Sequence, residues 1–345
     1  MKFLVVGLGS MGKRRIRNLQ ELKVDEIIGF DVREDRRKEA SKLYSIEVTE
    51  TLDSAIKKMP DAMIISTPPH KHLHYATIAA QKDIPFFTEV NTMKPSDLRK
   101  LIDLLKKKRV SGVPSTNLMF HPSVVRMKNM LKKGIIGKPL FFNFHSGSYL
   151  PDWHPWEKLR DYYVYKLETG GGRDQIAWEL SWIMSLMGHP KSVMASTRKL
   201  GSFKADIYDT YDLLLEFDNN AIGHVMVDVI QRPPGRICEI IGEDGTIRWD
   251  YDDRLVRSFS TKNKKWIKYP ERLDYKGYRI EKPKSGFAIK DTGMTESYVE
   301  EIKNFIEITK GKRKPAFTFD DEKILLKTMY AAEESSKKGK RIYIN

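Results

Sequence analysis

The chain has 345 residues, a single cysteine, 40% hydrophobic residues, and 61 Lys and Arg against 46 Asp and Glu for a net charge of +15. That length suits two domains with full-sized cores, and the lone Cys238 rules out an internal disulfide, as expected of a cytoplasmic protein. The apolar opening is cut at Gly7 and followed at once by Lys13, Arg14, Arg15 and Arg17, which argues against a signal peptide, and no uncharged apolar run approaches the roughly 18–20 residues of a membrane span.

The basic excess is spread over both parts of the chain, +7 in residues 1–120 and +8 in the remainder. Lys106 to Lys108, Lys132-Lys133-Gly134 and Lys337-Lys338-Gly339 stand where helices end, and cations there complement the helix dipole. This placement argues against a nucleic-acid or membrane partner and leaves the steering of an anionic substrate open.

In chain order, Phe3 to Val6 reads as a buried strand, 10–22 as a helix, Glu26 to Phe30 as a strand and 33–43 as a helix. Strands at 62–65, 84–87 and 111–115 follow, with helices at 70–82 and 96–108 between them. Continuous apolar strands separated by helices predict an α/β domain, a doubly wound parallel sheet covered on both faces. Beyond residue 121 the pattern changes. A helix at 123–133, a strand at 140–149, an aromatic stretch at 150–165, a glycine triplet and an apolar helix at 174–187 lead into alternating segments over 190–268, with Asp218-Asn219-Asn220 as one turn. This predicts an α+β domain with a mostly antiparallel sheet, closed by helices at 295–309 and 320–338. The expected organisation is a dinucleotide-binding domain at 1–121, a substrate and oligomerisation domain at 122–318 and a C-terminal helix and tail at 319–345. The basic 272–292 segment is the best candidate for a mobile loop.

Gly7-Leu8-Gly9-Ser10-Met11-Gly12 follows the first strand and opens a helix, and Asp31 ends the second strand, 19 residues beyond Gly12. In that context a G-x-G-x-x-G marks a dinucleotide site. The first glycine makes the tight turn, the second lets the backbone approach a pyrophosphate, the third lets helix and strand pack, and the helix N-terminus offers its free N–H groups. Asp31 would accept from the adenosine ribose hydroxyls and repel a 2′-phosphate, which favours NAD. Arg33, with Arg36 and Arg37, keeps NADP open.

With Thr67-Pro68-Pro69-His70-Lys71-His72 after the next strand, Glu89 after the one following, and the closing Tyr298-Val299-Glu300-Glu301, Phe305 and Gly311, the chain resembles the Gfo/Idh/MocA family of nucleotide-dependent sugar oxidoreductases. The resemblance runs from residue 2 to about 344. It implies a Rossmann domain followed by an open-faced sheet domain, and a homodimer or homotetramer formed through that sheet. It places Thr67, Pro68 and His72 at the nicotinamide end of the cofactor, with Glu89 and Asn117 in the same region. The alternative for His72 is a helix-start residue that only packs or caps.

Two departures from the family matter. Members usually carry Glu-Lys-Pro where this chain has Glu89-Val90-Asn91, and Val90 can neither titrate nor donate a hydrogen bond. Members also follow a glycine triplet with an Asp and a His general base; here Gly170-Gly171-Gly172 is followed by Arg173-Asp174-Gln175-Ile176-Ala177-Trp178-Glu179, so that Gln175 and Trp178 fall at the Asp and the His. Oxidising a carbinol still needs a proton acceptor near the hydroxyl. One candidate is His154, within Tyr149-Leu150-Pro151-Asp152-Trp153-His154-Pro155-Trp156, where Tyr149 and Trp153 would face a sugar and Asp152 would bind its hydroxyls. The other is Asp174, beside Arg173, whose fork would suit a carboxylate or phosphate. The plain alternatives are an aromatic plug and a first-turn acid that stabilises its helix. No zinc pattern, nucleophile elbow or P-loop is present, and no metal is expected. Redox-neutral use of bound NAD in an elimination, epimerisation or glycoside cleavage, and non-catalytic dinucleotide binding, are the competing readings.

Overall fold

The computed structural model describes residues 1–90, 94–155, 158–271 and 294–344; Asn91, Trp156 and the 272–292 segment lie outside them. The first eleven elements are β1 (Lys2–Val6), α1 (Ser10–Glu21), β2 (Glu26–Phe30), α2 (Glu34–Tyr44), β3 (Glu47–Thr49), α3 (Leu52–Ile56), β4 (Ala62–Ile65), α4 (Pro69–Gln81), β5 (Phe86–Thr88), α5 (Pro95–Lys108) and β6 (Gly112–Pro114). The six strands form one parallel sheet in the order β3-β2-β1-β4-β5-β6. Strand order reverses at β1, so the crevice in which such sheets bind ligands opens where β1 ends, at Gly7. Phe3 to Val6 of β1 and all of β4 are apolar and inaccessible because helices cover both faces of the sheet. β3 and α3 escape the sequence reading, since a three-residue strand with a single apolar centre, Val48, carries too short a pattern.

The second half comprises α6 (Pro122–Lys132), β7 (Pro139–Gly147), α7 (Gly172–Met187), β8 (Pro190–Arg198), β9 (Thr210–Phe217), β10 (Ile222–Asp228), β11 (Gly235–Gly242), β12 (Gly245–Asp250), β13 (Leu255–Ser260), β14 (Trp266–Pro270), α8 (Met294–Thr309), α9 (Phe319–Lys338) and β15 (Ile342–Tyr343). Its nine strands run β14-β13-β12-β11-β7-β10-β9-β8-β15. β7 and β10 pair in parallel and every other neighbouring pair is antiparallel. Side chains alternate across β7. Phe142 and Phe144 pack against Trp182 of α7 with ring centroids 6.1 and 5.2 Å apart. On the opposite face stand Asn143 and His145, in register with His224 and Met226 of β10 and with Glu239 and Ile237 of β11. That face is polar and apolar by turns. His224 bonds Asp212 at 2.7 Å, while Met194, Leu214, Ile222 and Ile237 are more than 40% exposed.

Residues 1–117 and 298–323 form one compact unit, and 118–297 and 324–345 the other. The expected 122–318 domain therefore loses its last segment, and the 319–345 tail is divided. The reason is the apolar face of α8. Ile302, Phe305 and Ile308 are buried in the first unit's core, where Phe305 meets Phe3 and Phe87 at 6.3 and 5.7 Å between ring centroids. A sequence window shows that a helix is amphipathic and says nothing about which core it covers.

Basic residues close α5 (Lys106, Lys107, Lys108), α6 (Lys132) and α9 (Lys337, Lys338), and Gly134 and Gly339 follow the latter two with positive φ. Part of the charge excess thus has a local purpose.

Glu322, in the first turn of α9, is 1% exposed, and neither carboxyl oxygen has a hydrogen-bond partner among the described residues. Burial alone pushes its pKa up to about 8 from 4.5. Below the unfolded value the carboxyl is neutral in both states and costs nothing. As pH rises from there through the folded value, the unfolded chain gives up its proton first and stability falls, by up to about 1.4 kcal/mol per pH unit. Urea unfolding of Glu322→Gln against the native chain at about pH 5, 6.5 and 8 should show the two curves diverging upward in pH, with the variant the more stable at the alkaline end. Parallel curves would reject this account.

Candidate functional site

The β1–α1 turn is built for a ligand at one glycine and for itself at the other two. Gly7 has φ of +91°, and a Cβ there would lie 2.6 Å from the Ser66 carbonyl oxygen. A Cβ on Gly12 would lie 1.8 Å from the Gly7 carbonyl oxygen, so the third glycine permits the contact between helix and turn. Gly9 differs. It has φ of −73°, which any residue adopts, and a Cβ would meet only the Arg36 guanidinium at 3.5 Å. The protein itself has no packing need for glycine at position 9, whereas a pyrophosphate laid over the turn does. Gly9 is the N-cap of α1 without a side-chain cap bond, and the first turn, Ser10 and Met11 included, carries no acid. The residues present fit NAD. Its phosphates would lie against Leu8 to Met11 at a helix N-terminus.

Asp31 is 5% exposed and faces this turn, accepting from the Leu8 and Arg33 N–H groups at 2.7 and 2.9 Å. Each oxygen keeps a further acceptor site for a ribose hydroxyl. The arginines that would clamp a 2′-phosphate are engaged locally. Arg33 pairs with Asp35, Arg37 donates to the Asp31 carbonyl at 2.8 Å, and Arg36 lies 3.7 Å from the Asp31 carboxylate. Asp31 has not turned away, and the arrangement suits NAD.

His72 does not face a ligand. It is fully buried, and its Nε2–H donates to the Thr67 carbonyl at 2.7 Å. Burial depresses its pKa to about 4, so the ring is neutral and acts by fixing the Thr67-Pro68 turn. Asn117 is likewise fully buried. The expectation of direct cofactor contact from these two side chains is corrected on that ground; Thr67 and Pro68 keep surface at the turn. Glu89 is held from beneath. Arg15, fully buried on α1, grips both its oxygens at 2.6 and 2.7 Å, donates to Glu301 of α8 at 2.8 Å and to Ser115 at 3.2 Å, and Ser66 donates to Glu89 at 3.1 Å. One buried and one partly buried carboxylate on a single guanidinium tie α1, the end of β5 and α8 together, and burial raises the Glu301 pKa. The sequence offered no signal for this cluster, whose members are 74 and 286 residues apart.

In the second unit the glycine triplet is explained by packing. A Cβ on Gly170 would lie 1.8 Å from the Val164 carbonyl oxygen, and one on Gly171 would lie 2.2 Å from the Ile207 side chain. This presses the start of α7 onto the Tyr162-Tyr163-Val164-Tyr165 run and brings both base candidates to one wall. The Tyr163 hydroxyl donates to Asp174 at 3.3 Å, Tyr163 lies edge-on to Tyr162 at 4.8 Å, and His154 stacks on Tyr162 at 4.2 Å and 13°. Asp174 keeps part of its surface exposed, yet burial of its carboxyl pushes the pKa up to about 7, against the opposing pull of the Tyr163 hydrogen bond. A carboxyl poised near neutrality is the form a general base takes. Tyr162 and Tyr163 were missed as site residues; the only available signal was an aromatic run just before the glycines.

The remaining candidates serve mainly to build the wall. Arg173, expected to grip an anionic substrate, is buried and places its fork on Glu333 at 2.9 and 2.5 Å, with Tyr211 donating to the same carboxylate at 2.8 Å. Asp152, expected to bind sugar hydroxyls, is clamped by Arg232 at 2.8 and 2.7 Å, and Arg232 lies 3.6 Å over the Tyr149 ring. Trp153 donates to Ser148 at 2.9 Å. Gln175 donates to Glu179 at 2.9 Å, and Glu179 also receives Arg236 at 2.6 Å and Trp182 at 2.7 Å. Trp178 keeps partial exposure, with the Arg236 guanidinium 5.4 Å from its ring centroid.

Comparison with known proteins agrees with both halves of this geometry. Residues 1–113 match the model of the oxidoreductase family with an NAD-binding Rossmann fold, and 124–248 match a GFO/IDH/MocA C-terminal domain. The chain is 25% identical to a myo-inositol 2-dehydrogenase of Thermotoga maritima over 97% of its own length and 96% of the relative's. An Agrobacterium radiobacter oxidoreductase solved with NAD+, L-tartaric acid and magnesium superposes with a TM-score of 0.85 at 17% identity, covering 100% of this chain and 98% of that one. A levoglucosan dehydrogenase solved with NADH and L-sorbose gives 0.84 at 17%, covering 100% and 99%. With its cofactor turn, its glycine triplet and matches in both halves, this chain belongs to the Gfo/Idh/MocA family of NAD-binding oxidoreductases.

Proposed function

We propose that this protein is an NAD-dependent dehydrogenase that oxidises a hydroxyl of a sugar or cyclitol, with a non-standard catalytic set in which Asp174 is the base. The observation that carries the reading is the place of Asp174, a carboxyl at the head of α7 joined by the Tyr163 hydroxyl at 3.3 Å to the Tyr163-Tyr162-His154 wall, where burial pushes its pKa up to about 7. Once bound, NAD supplies the hydride acceptor. Asp174 takes the hydroxyl proton, Gly7 to Met11 and Asp31 hold the cofactor, and the faces of Tyr149, Trp153 and Trp178 bear on the apolar side of the sugar. His154 is the second candidate for the base. Arg173, Arg232 and Arg236 each hold an internal carboxylate, so substrate recognition rests on aromatic faces and hydroxyl-binding groups more than on an arginine fork. Relatives named for myo-inositol and levoglucosan support a polyhydroxylated substrate. The exposed Met194, Leu214, Ile222 and Ile237 on the uncovered sheet face support association of like chains into a dimer or tetramer there.

Titration with NAD, NADH and their phosphorylated forms, followed by inositols, anhydrosugars, hexoses and uronic acids, tests the proposal. NAD should bind more tightly than NADP, and one neutral polyol should raise absorbance in the reduced-nicotinamide band. Binding of none of the four cofactors would overturn it. Turnover without net reduction would move the assignment to redox-neutral chemistry.

A further inference from the structure

We propose that Tyr163 is the positioning residue for Asp174: its hydroxyl holds one carboxylate oxygen and turns the other toward the substrate hydroxyl. The inference rests on the reading of Asp174 as the base. Among the described residues Tyr163 is the one hydrogen-bond donor to that carboxylate, through Oδ2 at 3.3 Å. The contact is built in from both ends. Tyr163 opens a single 3-10 turn, Tyr163–Tyr165, and its carbonyl accepts from the Thr169 hydroxyl at 2.7 Å. Its ring is braced edge-on by Tyr162, which in turn carries His154. At the other end Gly170 lies against the carbonyl of Val164, the residue after Tyr163, so closely that no side chain fits. The helix that carries Asp174 therefore starts from a point fixed to the tyrosine turn.

This geometry assigns Tyr163 two effects. It restricts the carboxyl to one orientation, and by donating to the ionised form it holds the carboxyl pKa below where burial alone would put it. It also explains how a helix lacking the usual family histidine can present a working acceptor. A carboxylate on a first turn with no partner would sample several rotamers, and turnover would fall with the fraction of time spent misaligned.

The test is Tyr163→Phe in the full chain, which keeps the ring and removes the hydroxyl; an unchanged thermal melt shows that the fold survives. Carbon-13 NMR of Asp-labelled protein, with Asp174 assigned by its loss in Asp174→Asn, reads the carboxyl without any substrate. An upward shift of its titration midpoint by about one pH unit is expected. With NAD and myo-inositol as the probe, the acid limb of kcat/KM should move by the same amount, with KM for NAD unchanged. An unmoved Asp174 titration in Tyr163→Phe overturns the positioning role, whatever Asp174 does in turnover. Full turnover by Asp174→Asn overturns the base reading instead, and with it the catalytic meaning of the contact.

Discussion

Asp174→Asn is expected to lower turnover by about 10²- to 10⁴-fold while leaving NAD affinity unchanged. Asparagine is nearly isosteric with aspartate and can still accept from the Tyr163 hydroxyl, so the wall formed by Tyr163, Tyr162 and His154 stays in place. Only the capacity to take a proton is lost. Because the Asp174 pKa stands near 7, kcat/KM of the native protein should rise with pH through neutrality and level off above it, as the carboxyl ionises. The residual activity of Asp174→Asn should lack this inflection. His154→Ala is the paired test, since it removes the second candidate for the base, a ring that stacks on Tyr162. A loss confined to His154→Ala, with Asp174→Asn fully active, would transfer the role of base to the imidazole. Stopped-flow measurement of the first turnover separates either effect from product release.

Gly9→Val is expected to weaken NAD binding by roughly 100-fold or more, equivalent to about 2.7 kcal/mol, with no change in thermal stability. The two halves of this expectation have separate causes. Gly9 has an extended backbone that valine adopts, and the space above it holds nothing nearer than the Arg36 guanidinium at 3.5 Å, so the folded chain tolerates the side chain. The same side chain fills the surface on which a pyrophosphate must lie. Gly12→Ala makes the contrast, because its Cβ would collide with the Gly7 carbonyl oxygen at 1.8 Å. It should lose cofactor and stability together. Isothermal titration alongside a thermal melt distinguishes the two, and NAD binding by Gly9→Val at native affinity would remove the cradle from the turn.

Much of this molecule is written in local pattern. Buried strands of the first sheet are continuous apolar runs, the glycine spacing marks the turn, and Asp31 marks the end of the neighbouring strand. These features depend on residues within about thirty positions of one another, where backbone geometry and side-chain periodicity act directly. The aromatic stretch and the glycine triplet were also legible as unusual, although not as one wall.

Charged residues were the least legible. A sequence shows that Arg173 follows three glycines; it does not show Glu333, 160 residues away, occupying the guanidinium. Nor does it show Arg15 held between Glu89 and Glu301, or Arg236 against Glu179. A charge acquires its role from the partner that meets it out of water, and the partner is chosen by packing. The same applies to α8, whose apolar stripe is plain in the sequence and whose allegiance to the first core is not. By itself the sequence determined the two sheets, the glycine turn after the first strand and the residue types available for catalysis, because short-range geometry dictates them. Tertiary structure alone decided which ionisable groups are spent on internal partners and which, like Asp174, are left desolvated and near neutrality, because burial and long-range contact set both.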